Sequence, residues 1–130
     1  MGIINNNIKW IMLIAGLSTC SMLAAVIAPQ DALLSMYGAN LTEPLADVVV
    51  RSWAFLIFLM GVMLIYGAYR PEARTLCIVI AGTSKLGFIA LNLLFGAQFL
   101  DALTLTMSFD GLVVAVLATY LIGSPPTQID

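Results

Sequence analysis

Two residues of this chain carry charge where charge is costly. Lys85 sits in Gly82-Thr83-Ser84-Lys85-Leu86-Gly87, in the middle of a long apolar run, and Asp110 lies halfway along the next one. An isolated charge at the centre of a bilayer costs about 2.5–3.5 kcal/mol on insertion scales, so two such residues call for each other. An ammonium offers hydrogen-bond donors to an anionic head group or a carbonyl. A carboxylate accepts hydrogen bonds and, if it changes protonation state, moves a proton. Three uses follow. The pair fixes helix register and nothing more, as polar groups in helix seams do. It recognises a ligand, or it takes part in proton or ion movement.

The composition says what kind of molecule holds these residues. Of 130 residues, 62% are hydrophobic and 9% charged. Soluble domains carry about 25% charged residues, so this chain lacks the polar surface to stay in water, and an integral membrane protein is expected. The net charge of −2 is scattered, with no basic run, which argues against a nucleic-acid partner. Histidine is absent. That removes His-ligated haem, the usual di-iron bundle and His-based triads. Cys20 and Cys77 each lie inside an apolar run and read as packing thiols. Asp110 is the one acid deep in an apolar run, so two-carboxylate hydrolysis has no second member. No enzyme activity, metal or cofactor is expected.

The elements that position the pair follow from length and punctuation. Apolar stretches over 8–28, 47–69, 73–95 and 99–122 each match a hydrocarbon core of about 30 Å at about 1.5 Å per residue. The expected fold is all-α, an antiparallel four-helix bundle in the membrane forming a single domain over 1–130. Lys9 followed by an apolar stretch and Leu17-Ser18-Thr19-Cys20 imitates a lipoprotein signal, but apolar character continues to Ala28, as in a retained helix. Between the first two spans, residues 30–37 have the pattern of a short interfacial helix ended by Gly38. Gly123-Ser124-Pro125-Pro126 reads as a stop followed by a polar tail.

Four crossings put both termini on one side. Lys9, Arg70 and Arg74 fall on that side, and the opposite connections hold Asp31, Glu43 and Asp47. The positive-inside rule then makes the termini cytoplasmic.

Depth and phase place the candidates. Lys85 is about ten residues, or about 15 Å, from the outer end of the third span, and Asp110 is nearly as far along the fourth. Asn92 follows Lys85 by seven residues on nearly the same face, and Thr106 precedes Asp110 by one turn. With Arg51 at the outer edge of the second span, these five residues are expected to line a polar track from outside to midplane. Below it the spans are apolar, which describes a blind pocket. Ser18, Ser21 and Ala25 give the first span a small-residue face, the expected docking surface for another membrane helix.

Ala28-Pro29 followed by Leu33-Leu34 and Tyr37-Gly38, then Arg51, Gly61 and the Arg70–Arg74 turn, together resemble the DoxX-like group of small four-span bacterial membrane proteins. The resemblance implies a four-helix bundle in the bacterial inner membrane, without a defined reaction. The expected function is a non-enzymatic accessory or structural subunit packed against larger membrane protein subunits in the lipid bilayer. The alternatives are binding of a lipid, a quinone or another amphipathic ligand in the outward polar pocket, and a small proton or solute transport subunit.

Overall fold

The computed structural model describes residues 2–123, so the polar tail that begins at Ser124 lies outside the described residues. Its elements are helices α1 (Gly2–Cys20), α2 (Leu23–Ile27), α3 (Pro29–Tyr37), α4 (Pro44–Tyr69), α5 (Pro71–Phe95) and α6 (Leu100–Gly123), with a 3₁₀ turn at Ala97–Phe99 before the last. Among the described residues every regular element is helical. Four helical segments are long and apolar enough to cross a membrane: Gly2–Ile27, Pro44–Tyr69, Pro71–Phe95 and Ala97–Gly123.

The boundaries have local causes. Pro29, Pro44 and Pro71 begin α3, α4 and α5, where a missing N–H is no loss and the fixed φ suits the first turn. Asp31, Asp47 and Glu72 follow within those first turns, next to the positive end of the helix dipole. Gly38 closes α3 with φ 70°, a left-handed conformation that favours glycine. Only Arg70 separates α4 from α5. That turn is held by Arg74, whose Nε and Nη2 donate to the carbonyls of Gly67 and Ala68 at 3.0 and 2.9 Å.

Packing makes α4 the centre of the molecule. It lies against α1 on one side and α5 on the other, α6 packs on α5, and α1 meets α6 only sparingly. Met12, Leu64, Ile78 and Leu117 are fully buried at the centre. The α1–α4 seam is closed by glycine: a Cβ on Gly61 would stand 2.7 Å from the Gly16 carbonyl oxygen and 2.7 Å from Cys20 Sγ. Two backbones therefore touch directly, the close approach that small residues allow.

The first span departs from expectation at its start and in its middle. It begins at Gly2 and not near residue 8, because Asn7 donates to the Ile3 carbonyl at 2.9 Å and lets the polar run join the helix. It also breaks at Ser21–Met22. Ser18-Thr19-Cys20-Ser21 is a run of small polar side chains that compete for backbone carbonyls. Thr19 Oγ1 donates to Ala15 O at 2.7 Å, Ser21 Oγ to Ser18 O at 2.5 Å, and Cys20 Sγ to Phe58 O of α4 at 3.7 Å. Backbone bonds there shorten to the three-residue pattern, from Ser21 to Ser18 and from Met22 to Thr19. That tighter winding rotates the following residues off the original face. Ser18 and Ser21 remain exposed, but Ala25 is buried at 1% exposure, in the segment α2 that packs on α4. The expected small-residue docking face of Ser18, Ser21 and Ala25 is thus not one surface.

Candidate functional site

Lys85 and Asp110 come from facing positions on α5 and α6. Lys85 Nζ donates to Asp110 Oδ1 at 2.7 Å, with the two side chains 10% and 15% exposed. Among the described residues the other ion pair is Arg70–Glu72 at 3.5 Å, which is exposed and contributes little. The buried pair is different in kind. Each charge there depends on the other for its solvation, so losing either leaves an uncompensated charge in a poorly hydrated place.

The pair forms part of the wall of a cavity of about 440 Å³. Ser18, Thr19, Ser21 and Met22 reach it from the first helix and its break. Met36 comes from α3, and Ile57, Met60 and Leu64 from α4. Ala81, Ser84 and Phe88 of α5, with Leu105, Thr106 and Phe109 of α6, complete the lining around Lys85 and Asp110. The cavity sits where α1 and α6 fail to close on each other. Apolar and sulfur-bearing side chains predominate, with one charge pair and a few hydroxyls, the usual make-up of a small-molecule site of this size.

Of the five residues expected along a polar track, the structure brings Lys85, Asp110 and Thr106 together. Arg51 is elsewhere. Its Nη1 donates to the Val26 carbonyl at 2.5 Å, at the frayed end of α2, and it forms no ion pair with Asp47. Ala28, with φ −131° and ψ 75°, has left the helix as a residue before proline tends to, and no helical N–H reaches the Val26 oxygen. Asn92 is also elsewhere. It donates to the Phe88 carbonyl at 2.8 Å and hydrogen-bonds the Tyr37 side chain of α3. The track expected from Arg51 through Asn92 is therefore two separate braces, one at each end of α3.

Gln30 is the residue that sequence reasoning missed. Its amide donates to Asp47 Oδ1 at 2.5 Å and to the Leu41 carbonyl, and it accepts from the Leu41 N–H at 3.1 Å. It pins the loop after α3 to the start of α4. The signal was a polar amide directly after Pro29, one of several side chains in that connection able to both donate and accept. At the far end of α3, Tyr37 packs edge-to-face on Phe99 with ring centroids 5.6 Å apart. Burial pushes the Tyr37 hydroxyl above its ordinary value, and the hydrogen bond with Asn92 offsets part of that rise.

At the opposite end of the molecule Lys9 Nζ lies 4.6 Å from the centre of the Tyr69 ring, beside the Arg70–Arg74 turn. No family model, curated protein or solved structure matches the chain. The DoxX-like resemblance rests on the residues quoted for it alone.

Proposed function

We propose that this chain is a non-enzymatic binding module of the bacterial inner membrane, which holds an amphipathic molecule in the cavity beside Lys85 and Asp110. One observation carries the reading: a buried ion pair stands on the wall of an apolar cavity and not in a sealed helix seam. A pair that served register alone would gain nothing from space beside it, since space forfeits dispersion contact. The same geometry weakens the accessory-subunit reading, because the small-residue face expected to dock a partner is divided and Ala25 is covered by α4.

In this reading the four apolar segments cross the bilayer as an antiparallel bundle. Lys9, Arg70 and Arg74 fall at one end, and Asp31 in the first turn of α3, Glu43 and Asp47 in the first turn of α4 fall at the other. That asymmetry supports cytoplasmic termini. The short helix α3 lies at the outer surface and braces the bundle above the cavity.

The test is extraction of the protein in a mild detergent, followed by native mass spectrometry. The wild type is expected to retain a small amphipathic molecule, and Lys85→Met with Asp110→Leu is expected to lose it while keeping its helical circular dichroism. Equal retention by both proteins, or none by the wild type, defeats the proposal. Retention of a companion membrane protein in its place restores the accessory-subunit reading.

A further inference from the structure

The ion pair also constrains the head group of the molecule it would receive. An ammonium has three N–H donors, and among the described residues Lys85 spends one of them, on Asp110 Oδ1. Asp110 Oδ2 has no hydrogen-bond donor among those residues. Among the described residues no deeply buried side-chain nitrogen or oxygen goes without a partner, so Oδ2 keeps some exposure. Both residues line the cavity, as do Ser84 and Thr106, whose hydroxyls make no side-chain hydrogen bond to other described residues. The wall therefore presents unused donors and unused acceptors side by side, with a summed charge of zero.

We infer that the cavity selects an uncharged, hydroxyl-bearing head group on a hydrocarbon chain, the class of long-chain alcohols and glycerol ethers or monoesters. The inference rests on the binding reading above and narrows it. A hydroxyl accepts from Lys85 Nζ and donates to Asp110 Oδ2 at once. An anionic head gains Lys85 but faces the Asp110 carboxylate, and a cationic head meets the reverse. Like charges brought together in a poorly hydrated site disfavour both. A quinone head offers acceptors only, so it satisfies Lys85 and leaves Oδ2 bare, and an unmet carboxylate oxygen is a penalty against that ligand. The hydrocarbon chain lies along Met60, Phe88 and Phe109.

The experiment uses the full chain in nanodiscs and a diazirine-bearing dodecanol as photolabel, with labelled peptides mapped by mass spectrometry. Unlabelled dodecyl glycerol ether, dodecyl sulfonate, dodecylammonium and a dodecyl benzoquinone compete in parallel. The glycerol ether is expected to displace the label at least about tenfold more effectively than either ion, with the quinone between them. Asp110→Asn leaves Lys85 unbalanced and should turn the preference toward the sulfonate, and Lys85→Met should turn it toward the ammonium. If these variants fail to fold, the wild-type ranking decides by itself. A sulfonate or ammonium that competes as well as the ether overturns the neutral-head inference while leaving binding intact. A label that no competitor displaces removes the binding reading itself.

Discussion

Along the α1–α4 seam, Gly16 and Gly61 bring two backbones together with no room for a methyl group. Across the bundle, α5 and α6 meet around Lys85 and Asp110 beside a cavity of about 440 Å³. The glycines follow the same division. A Cβ on Gly82, Gly87 or Gly111, all on α5 or α6, would meet nothing within 4 Å. One side of α4 derives its strength from contact and tolerates no added atom. On its other side α4 also packs closely on α5 near Gly67 and Cys77, and it is between α5 and α6 that open glycines and one buried electrostatic bond are found. The comparison teaches that the bundle is not uniformly packed: backbone contact closes the α1–α4 seam, whereas α5 and α6 carry glycines in open space, and that is where the polar chemistry sits.

The largest expected effect breaks the electrostatic side. Asp110→Ala strands Lys85 and should destabilise the protein by about 3–5 kcal/mol, the range for removing one partner of a buried pair. Lys85→Met with Asp110→Leu removes both charges and should recover most of that loss, because apolar groups refill the space. Thermal unfolding in detergent, followed by circular dichroism, gives the comparison. Equal losses for the single and double variants would mean that the pair is already well hydrated and that the two regions differ less than the geometry implies.

Gly61→Ala attacks the contact side. The new methyl would stand 2.7 Å from a backbone oxygen and 2.8 Å from a backbone nitrogen of α1, neither of which can turn aside as a flexible side chain would. Overpacking of this kind costs about 1–3 kcal/mol. A lowered unfolding temperature with the helix content of the folded protein unchanged is the expected result. A neutral outcome would show that α1 can slide on α4, and the seam would no longer count as rigid.

How much of this could be read from the sequence differs between the same two regions. The long apolar runs announced α4, α5 and α6 to within a few residues, because length and hydropathy are summed over whole helices. Lys85 and Asp110 stood out for the same reason: a charge is conspicuous against an apolar background, and counting residues from the ends set both at one level. Gly16 and Gly61 were not singled out as a pair, since nothing in a single sequence states which helix face meets which. The break after Cys20 was not read from Ser18-Thr19-Cys20-Ser21, where a helix continuous to Ala28 was expected. A small change in winding decides whether Ala25 faces outward with Ser18 and Ser21 or inward. Arg51 and Asn92 were placed by helical phase toward a shared track. The structure assigns Arg51 to a carbonyl of α2, and Asn92 to the Phe88 carbonyl of its own helix and to Tyr37 of α3; the positions of α2 and α3 depend on tertiary packing.

Tyr37 joins α3 to α5, and its effect should be smaller. Tyr37→Phe loses the hydrogen bond with Asn92 and should cost about 1 kcal/mol near neutral pH. The pH dependence has a defined sign. Burial raises the folded hydroxyl above its unfolded value of 10.0, so the folded state binds the proton more tightly. Stability from this group is complete below that value and is lost as the pH rises through the folded one. The wild type should therefore show an alkaline decline that the phenylalanine variant lacks in part, measured as unfolding temperature against pH. Parallel curves would mean that Tyr37 is not buried against Asn92 and Phe99 as described.

The smallest effect has the opposite sign and separates the two regions most cleanly. Gly111 neighbours Asp110 within α6, and a methyl group there would touch nothing. In a helix interior glycine is worth less than alanine by about 0.5–1 kcal/mol, because it gives up more backbone freedom on folding. Gly111→Ala should therefore raise the unfolding temperature slightly, whereas the same substitution at Gly61 lowers it. Substitution and secondary structure are the same at both sites, and the space around the added methyl separates them. A destabilised Gly111→Ala would place an unseen neighbour on that face of α6, such as a second copy of the chain or a partner helix. In that case the α5–α6 side of the bundle would be incomplete without its partner, and the cavity would belong to an interface.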